Sequence, residues 1–341
     1  MRLLQITGPG GINDLRFVEK PIPTPGEGEV VLRVTAASLN RRDLTMISST
    51  SAPGTPQPPF TPMSDAAGVV HAVGPGVTCV KKDDRVTSLF FQKWMDGPIN
   101  SEVRWATVPS MVHDGVAAEY VTLLAQGVHP VPVGLTDQEG ATLPCAALTA
   151  WRAMFEDAGL QSGAKIVVQG TGGVSIFALQ FGAAMGMEVV VTSSSDEKLE
   201  RAKALGAAHT VNYRTHPDWG AEVKKAVGSA GVDFVLGVGG AGNLAQSLDA
   251  IGLGGHIAIV GMLGGAEEVL PFRALTGKNA KLQGVSVGNR AMFGRMAAAI
   301  EQHAIKPVID KVYPFAEAIE AFRAMKAGDL FGKIVIDLES K

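Results

Sequence analysis

A glycine-rich turn between residues 170 and 175 is the feature of this sequence with the clearest chemical meaning. It reads Gly-Thr-Gly-Gly-Val-Ser and lies between residues 165–169, which are typical of a buried strand, and residues 174–186, which are typical of a helix. Glycine lets the backbone turn sharply and approach a pyrophosphate, whose charge the helix N-terminus stabilises. Ser175 replaces the third glycine of the usual pattern and is small enough for close packing. The turn predicts a dinucleotide site, with a purely structural turn as the alternative. The predicted cofactor contacts are Gly170, Thr171, Gly172, Gly173 and Val174.

The residues that follow the next apolar run, 188–192, bear on the type of dinucleotide. A site for NAD usually has an Asp or Glu about 20 residues after the glycines, where it holds the ribose hydroxyls. This chain has three serines there, and its next carboxylates, Asp196 and Glu197, lie where a helix begins. Hydroxyls beside a lysine can bind a 2′-phosphate that a carboxylate would repel, a tyrosine can pack on the adenine, and Arg214 can add charge. We therefore predict NADP(H); the alternative is that the serines only cap the helix and the lysine is solvated. The predicted contacts are Ser193, Ser194, Ser195, Lys198 and Tyr213.

Two further loops lie at the carboxyl ends of predicted strands, where open α/β sheets bind their ligands. Val238 and Gly239 lie at the end of the strand 233–238, and Gly261, Met262 and Leu263 follow the strand 256–260. Glycines are common at strand ends in any case, so a plain turn is the alternative for each loop. We predict that these residues contact the cofactor.

Strands and helices alternate from about residue 144, which predicts a parallel, doubly wound sheet. The predicted strands are 165–169, 188–192, one containing Val211, 233–238 and 256–260, and the predicted helices are 174–186 and 196–205. Residues 1 to about 130 are β-rich, with alternating runs such as 29–34, and residues 90–115 are predicted to form a loop. Helices at 292–303 and 316–327 and a strand at 333–336 are expected near the end of the chain.

The overall composition argues against several classes of protein. With 341 residues, of which 46% are hydrophobic and 18% charged, the chain is expected to form two globular domains. A net charge of −3 and the lack of a basic run argue against a nucleic-acid or membrane partner. Two cysteines cannot build a disulfide framework or a four-cysteine zinc site. The first residues lack an apolar signal segment, so we expect a cytoplasmic protein.

Motifs along nearly the whole chain resemble those of the medium-chain dehydrogenase/reductase superfamily. They are VEKPIPTPGEGEVVLRV, SLNRRD, SDAAGVVHAVGPGV and DDRV in the first part, and LPCAALTAW, QGTGGVS, SSSDEKLERAKALGA, VNYR, PVID and FGKIVI in the later part. The resemblance implies an α/β protein with a GroES-like β domain and a Rossmann domain. It implies the GroES-like domain at 1–140, completed by 290–341, the Rossmann domain at 141–289, and a homodimer.

Within that superfamily the chain resembles the zinc-free, quinone-oxidoreductase-like branch. A zinc alcohol dehydrogenase would have Cys at the position of Asn40 and His-Glu at Ser64-Asp65, whereas Cys145 matches the remaining cysteine position. One thiolate cannot hold a tetrahedral zinc ion, and residues 90–115 lack the four cysteines of a structural zinc site. We therefore predict no metal.

The resemblance also implies roles for single residues. Asn40 and Thr149 are expected to face the nicotinamide. Asp43 is expected either to act with them or to hold its loop through backbone contacts. Three further cofactor contacts are implied, namely Asn289, Phe331 and Lys333.

The absence of a zinc ion would also favour some substrates over others. A simple ketone would lack a Lewis acid, whereas an enone or quinone accepts a hydride with conjugative stabilisation. We therefore predict an NADPH-dependent reductase of a small enone or quinone. The alternatives are a zinc-free alcohol or aldehyde oxidoreductase, and a nucleotide-binding redox sensor without efficient catalysis.

Overall fold

The computed structural model describes residues 1–48, 56–240, 242–261, 264–265, 267 and 269–340. The chain divides into two compact units. The first unit comprises Met1–Leu148 and Val287–Lys341, and the second comprises Thr149–Ser286.

The strands and helices are numbered in chain order. The strands are β1 (Arg2–Ile6), β2 (Leu15–Glu19), β3 (Glu29–Leu39), β4 (Asp65–Val73), β5 (Arg85–Ser88), β6 (Tyr120–Leu124), β7 (Val128–Pro130), β8 (Lys165–Gln169), β9 (Glu188–Ser193), β10 (His209–Asn212), β11 (Val232–Gly237), β12 (Ile251–Ile259), β13 (Lys281–Gly284), β14 (Ile309–Pro314) and β15 (Lys333–Asp337). The helices are α1 (Arg41–Ser48), α2 (Ser101–Arg104), α3 (Asp137–Gly140), α4 (Leu148–Trp151), α5 (Gly173–Ala184), α6 (Asp196–Ala204), α7 (Trp219–Val227), α8 (Leu244–Ala250), α9 (Phe272–Gly277), α10 (Arg290–Gln302) and α11 (Ala318–Ala327). Short 3-10 segments lie at Ile12–Asp14, Ala125–Gly127 and Phe315–Glu317, and π-helical turns at Leu143–Ala147 and Arg152–Asp157.

The second unit is built on a six-stranded parallel sheet with the strand order β10-β9-β8-β11-β12-β13. The valine-rich strands β8, β9 and β11 are almost entirely buried, as expected of central parallel strands covered by helices. The chain runs from β8 outwards to β10 and then returns to β11 beside β8. The strand order therefore reverses between β8 and β11, and open α/β sheets bind ligands at such a reversal. This topology confirms the predicted doubly wound, Rossmann-like sheet.

Two strands of this sheet differ from the sequence prediction. β12 begins at Ile251 rather than near residue 256, and residues 252–255 form an irregularity in its pairing with β11. Three glycines in that segment hide the strand pattern, since glycine has no side chain to alternate. The pattern does not predict β13, a four-residue edge strand that pairs with β12.

The first unit contains a seven-stranded sheet with the order β14-β15-β3-β4-β5-β7, and β6 also pairs with β3. The last strand of the chain, β15, pairs antiparallel with β3. Residues near the C-terminus therefore complete a sheet that begins near the N-terminus. Its core joins Leu32 and Leu39 of β3 to Phe322 of α11 and Ile336 of β15. This unit has the β-rich architecture predicted for the first part of the chain.

The four predicted helices are present as α5, α6, α10 and α11, and each begins and ends within two residues of its predicted bounds. Residues 90–115, predicted to form a loop, contain the single helical turn α2, because the Asn100 side chain accepts a hydrogen bond from the Val103 amide. Among the described residues, no helix combines the length and the hydropathy needed to cross a bilayer.

His256 on β12 should make the free energy of unfolding depend on pH. It is only 5% exposed, and both ring nitrogens are buried without a hydrogen-bond partner in the described part of the chain. Desolvation lowers its pKa below the ordinary 6.5. As the pH falls below about 6.5, His256 binds a proton in the unfolded chain but stays neutral in the folded chain. The free energy of unfolding therefore falls by up to about 1.4 kcal/mol per pH unit.

Urea denaturation of the wild type and His256→Leu at about pH 8 and about pH 5.5 tests this expectation. The difference in unfolding free energy between the two proteins should move in favour of the variant at the lower pH. Burial raises the pKa of Asp43 to about 6, so that carboxyl has the opposite pH dependence, but it is common to both proteins and cancels. A difference that stays constant with pH would show that His256 binds its proton equally well when folded. The control is His216→Leu, which removes an exposed histidine.

Candidate active site

The glycine-rich turn lies at the reversal of strand order in the second unit. Gly170 follows β8 with φ +72°, a conformation that favours glycine, and its amide donates to the Thr192 carbonyl at 2.7 Å. The Ser175 hydroxyl donates to the Gln169 carbonyl at 2.7 Å, so serine is compatible with close packing here. Gly172 precedes α5 without a side-chain cap, and a Cβ added there would meet nothing within 4 Å. The first amides of α5 are therefore free of a side-chain cap and unobstructed at Gly172.

The loops after β11 and β12 lie beside this turn. The Gly239 amide donates to the Gln169 Oε1 at 3.3 Å, and a Cβ added to Gly170 would lie 3.8 Å from Val238. Gly261 packs against Val238, whose carbonyl oxygen would be 2.7 Å from an added Cβ. The structure thus brings the predicted contacts of three strand ends together. Two predicted contacts, Met262 and Leu263, lie outside the described residues.

The residues predicted to bind a 2′-phosphate form a neighbouring group. The Ser195 hydroxyl accepts from the Lys198 amide at 3.3 Å and caps α6, and the Ser193 hydroxyl accepts from the Ser195 amide at 3.3 Å. The Tyr213 amide donates to the Ser193 carbonyl at 3.1 Å, and the tyrosine is 42% exposed. Ser194 lies half-buried between the other two serines. Ser195 therefore caps α6, and the exposed Tyr213 is held next to Ser193 through its backbone.

Asp196, the first carboxylate after the serines, is held by the neighbouring strand. Its Oδ1 accepts a hydrogen bond of 2.7 Å from the side-chain amide of Asn212 at the end of β10. This contact occupies one of its oxygens without neutralising the negative charge.

A buried lysine is the centre of a polar cluster in the first unit. Lys333, the first residue of β15, is 2% exposed, and its ammonium group donates to the Leu39 carbonyl and to the Asn40 Oδ1, both at 2.6 Å. The pairing of β15 with β3 places these residues together, because Ile334 lies opposite Leu39. Desolvation lowers the pKa of Lys333, and the carboxylate of Asp65 opposes that shift.

Asp65 provides the countercharge of this cluster. It is buried at the start of β4, where Oδ1 accepts from the Ser64 hydroxyl at 2.5 Å and Oδ2 from the Cys145 amide at 3.1 Å. Desolvation raises the pKa of Asp65, and the Lys333 ammonium opposes the shift. Burial raises the pKa of the Cys145 thiol, and Asp65 adds to the shift. The thiol is therefore protonated near neutral pH and is no activated nucleophile.

The two ends of the Asn40 side-chain amide differ in their contacts. Its Oδ1 faces Lys333, whereas its buried Nδ2 makes no hydrogen bond of good geometry with the described residues. The amide lies near enough to Asp65 to help lower the pKa of that carboxyl. Nδ2 is thus a buried donor that an oxygen of a ligand would satisfy.

Asp43 holds the start of α1. Its Oδ2 accepts from the Asn40 amide at 2.8 Å, which is the backbone contact considered as its alternative role. Its Oδ1 lies 4.0 Å from the Arg42 guanidinium and makes no hydrogen bond with any residue that the structure describes. Desolvation raises the pKa of Asp43 to about 6, although the charge of Arg42 acts against the shift.

Three further predicted residues are buried. Thr149 lies in α4, between the two π-helical turns, an arrangement that is common at functional sites. Asn289 caps α10, with its Oδ1 accepting from the Met292 amide at 2.8 Å. Phe331 is 2% exposed and precedes Gly332, whose φ is +97°. Their contacts with a cofactor stay predictions.

Sequence reasoning missed two features near Asn40. The Arg42 guanidinium lies 4.5 Å from the centre of the Phe90 ring, so an aromatic side chain packs against it. Met63, buried two residues before Asp65, has φ +73°, which is strained for a residue with a side chain. A local outlier of this kind has no signal in residue type or spacing.

The polar cluster does not fit a zinc ion. The Asn40 oxygen faces an ammonium group, and the Ser64 hydroxyl donates to Asp65. No three His, Cys, Asp or Glu side chains in the described ranges converge as a metal site requires. The ammonium group of Lys333 would also repel a divalent cation at this point.

A GroES-like domain and a Rossmann-like domain with a glycine turn at its strand reversal define an oxidoreductase of the dehydrogenase class. Residues 26–133 match the alcohol dehydrogenase GroES-like domain family, and residues 173–302 match the zinc-binding dehydrogenase family. The chain belongs to the medium-chain dehydrogenase/reductase superfamily.

The similarity to individual relatives extends over the whole chain. A zinc-type alcohol dehydrogenase-like protein of Schizosaccharomyces pombe is 38% identical over 338 residues, which cover 96% of each protein. The quinone oxidoreductase of Rattus norvegicus is 28% identical over 98% of this chain and 97% of its own. A protein of Sinorhizobium meliloti 1021 that is named as an alcohol dehydrogenase is 39% identical to this chain. Its crystal structure matches with a TM-score of 0.90 over 99% of each chain.

Relatives of known structure include both cofactor types. An NAD-dependent alcohol dehydrogenase is 32% identical, with a TM-score of 0.88 over 99% of this chain and 100% of its own. A mycobacterial protein solved in complex with NADPH is 26% identical, with a TM-score of 0.82 over 99% of each chain. Membership of the superfamily therefore does not decide between NADPH and NADH.

Proposed function

We propose that this protein transfers a hydride from NADPH to a small enone or quinone without a metal ion. The observation that carries the proposal is that Lys333 engages the Asn40 side chain and Asp65 engages the Ser64 hydroxyl. Zinc alcohol dehydrogenases have metal ligands at these two positions. A conjugated acceptor suits such a site, because it spreads the incoming charge and depends less on a Lewis acid. The similarity to quinone oxidoreductases over nearly the full chain supports the same class of substrate.

Each group of predicted residues has a part in this proposal. NADPH, when bound, supplies the hydride. The amides at the start of α5 stabilise the pyrophosphate, and the serines with Lys198 bind the 2′-phosphate. The Nδ2 of Asn40 donates to a ligand oxygen, and Thr149 contacts the nicotinamide as the family motif implies.

The direct test is consumption of NADPH by metal-stripped protein across a panel of enones, quinones, ketones and aldehydes, with and without chelator. We expect turnover of conjugated acceptors that the chelator leaves unchanged. Loss of activity with chelator would overturn the proposal that the reaction needs no metal ion. Activity on alcohols and aldehydes alone would favour the alcohol dehydrogenase alternative, and binding of NADPH without consumption would favour a redox sensor.

The cofactor preference should depend on Lys198. Replacing it with methionine removes a positive charge from the group that includes Ser193, Ser195 and Tyr213. A charge-assisted hydrogen bond contributes about 1.5–3 kcal/mol, so the Kd for NADPH should rise at least about tenfold. The Kd for NADH should change little, because NADH lacks the 2′-phosphate. Fluorescence titration of both cofactors measures the two constants.

Lys203→Met is the matched control for this titration. Lys203 lies on the same helix and pairs with Glu200 at 2.6 Å, so its loss should leave both cofactors bound as before. An equal rise in both Kd values for Lys198→Met, or no rise for NADPH, would contradict the phosphate role.

A further inference from the structure

The proposed function uses the buried ammonium group of Lys333 only as an argument against a metal ion. Its residue is 2% exposed, and ammonium groups are rarely buried unless their hydrogen bonds and charge are satisfied. Gly332 makes this placement possible, since its φ is +97° and an added Cβ would lie 2.4 Å from the Val308 carbonyl. A specific backbone geometry therefore brings a cation to Asn40.

The contact with Lys333 determines which way the Asn40 amide faces. The two ends of an amide are similar in shape, and a rotation of half a turn exchanges oxygen for nitrogen. Only the oxygen can accept from an ammonium group, so the rotated amide would set two donors against each other. The 2.6 Å hydrogen bond therefore holds Oδ1 on Lys333 and turns the buried Nδ2 to the other side, near Asp65, where it makes no hydrogen bond of good geometry with the described residues.

We propose that Lys333 is a positioning residue, which acts through Asn40 by fixing and polarising the amide that donates to a ligand oxygen. This inference rests on the proposed function in taking that oxygen from the nicotinamide carboxamide or the substrate. A hydrogen bond to a charged donor is stronger than a neutral one and makes the amide nitrogen a better donor. The Asp65 carboxylate balances the charge of the Lys333 ammonium group, so the lysine is not an unpaired buried ion.

Lys333→Met tests the role, because methionine keeps much of the apolar stem and removes the ammonium group. We expect kcat to fall about tenfold or more while the Kd for NADPH stays within about twofold. Lys333→Arg, which keeps a donor and a charge, should recover part of the loss. Lys278→Met is the matched control, since the Lys278 ammonium also donates to two carbonyls, of Asp249 and Ile251, but in the second unit.

A double-mutant cycle separates action through Asn40 from an independent role. If Lys333 acts through Asn40, then Lys333→Met in an Asn40→Ala background should cause no further loss of kcat. Two losses that multiply would overturn the proposal. So would a weaker affinity for NADPH with unchanged kcat, which would instead indicate direct contact between Lys333 and the cofactor.

A measurement without turnover keeps this proposal separate from the proposed function. In protein labelled with ¹⁵N-asparagine, the side-chain amide signal that disappears in Asn40→Ala belongs to Asn40. We expect Lys333→Met to shift that signal and to speed its exchange with solvent, whereas Lys278→Met leaves it in place. An unshifted signal would overturn the positioning role. Failure of the wild type to consume NADPH would instead count against the proposed function.

Discussion

Replacing Asn40 with aspartate is expected to lower kcat about 10²- to 10³-fold, the usual effect of removing one donor to a developing oxyanion. Aspartate has nearly the shape of asparagine and can still accept from Lys333, so the 2.6 Å contact would become an ion pair. It has no N–H group, however, and its negative charge would repel an oxygen that gains charge in the transition state. The Oδ1 contact that anchors the side chain is kept, but the new carboxylate would lie near the buried Asp65, so the stability of the variant has to be measured together with its kinetics.

The measurement is steady-state kinetics with NADPH and the best acceptor of the panel, together with a thermal melt. Asn100→Asp is a matched control, since Asn100 is exposed and caps α2, a role that aspartate fills equally well. An unchanged kcat for Asn40→Asp, with normal stability, would mean that Asn40 does not face the reacting atoms. A large drop in melting temperature would instead assign the loss to folding.

Much of the second unit could be predicted from local sequence alone. The strands β8, β9 and β11 and the helices α5 and α6 each have their own pattern, and the glycine turn lies between β8 and α5 in both sequence and space. The errors in the strands, the start of β12 and the missing β13, concern glycine-rich or short edge segments with little side-chain pattern. Prediction failed for strand segments whose own residues show no apolar alternation and whose place in the sheet is set by pairing with a neighbouring strand. The helices α7, α8 and α9 were not predicted.

The polar cluster of the first unit could not be predicted in this way. Lys333 and Asn40 are 293 residues apart, and only the pairing of β15 with β3 brings them together. The family motif placed both residues near the cofactor but gave no reason for an ammonium group to face an amide oxygen. Nor does spacing predict that Asp65 accepts from the Cys145 amide, because that contact depends on the packing of β4 against a π-helical turn.

Several of the predicted site residues also have a structural contact. Ser195 caps α6, Asp43 accepts from the Asn40 amide, and Asn289 caps α10. A cap uses one acceptor, and a hydroxyl or amide keeps a donor for a ligand. Asp43 differs from these residues, because a carboxylate has no hydrogen to donate to a ligand and its Oδ2 already accepts from the Asn40 backbone. We therefore regard Asp43 as support for Asn40 and not as a group that meets the substrate.

Gly172→Ala should weaken NADPH binding about 10- to 100-fold without destabilising the protein, because it places a methyl group where the backbone must approach the pyrophosphate. Gly172 has φ −76° and ψ 179°, which alanine adopts without strain, and the added Cβ meets nothing within 4 Å. The melting temperature of the protein without cofactor should therefore be unchanged. Any loss of affinity would then report contact with the ligand itself.

Gly182→Ala, on the same helix, should show the opposite behaviour. There the added Cβ would lie 2.8 Å from Val189 and 3.0 Å from Ile166, so the core must shift at a cost of about 1–3 kcal/mol. Its melting temperature should fall, while the folded fraction binds NADPH with nearly the original affinity. Fluorescence titration and thermal melts of both variants distinguish crowding of the ligand from crowding of the core. If Gly172→Ala binds NADPH as tightly as the wild type, the turn does not contact the pyrophosphate and the purely structural alternative is correct.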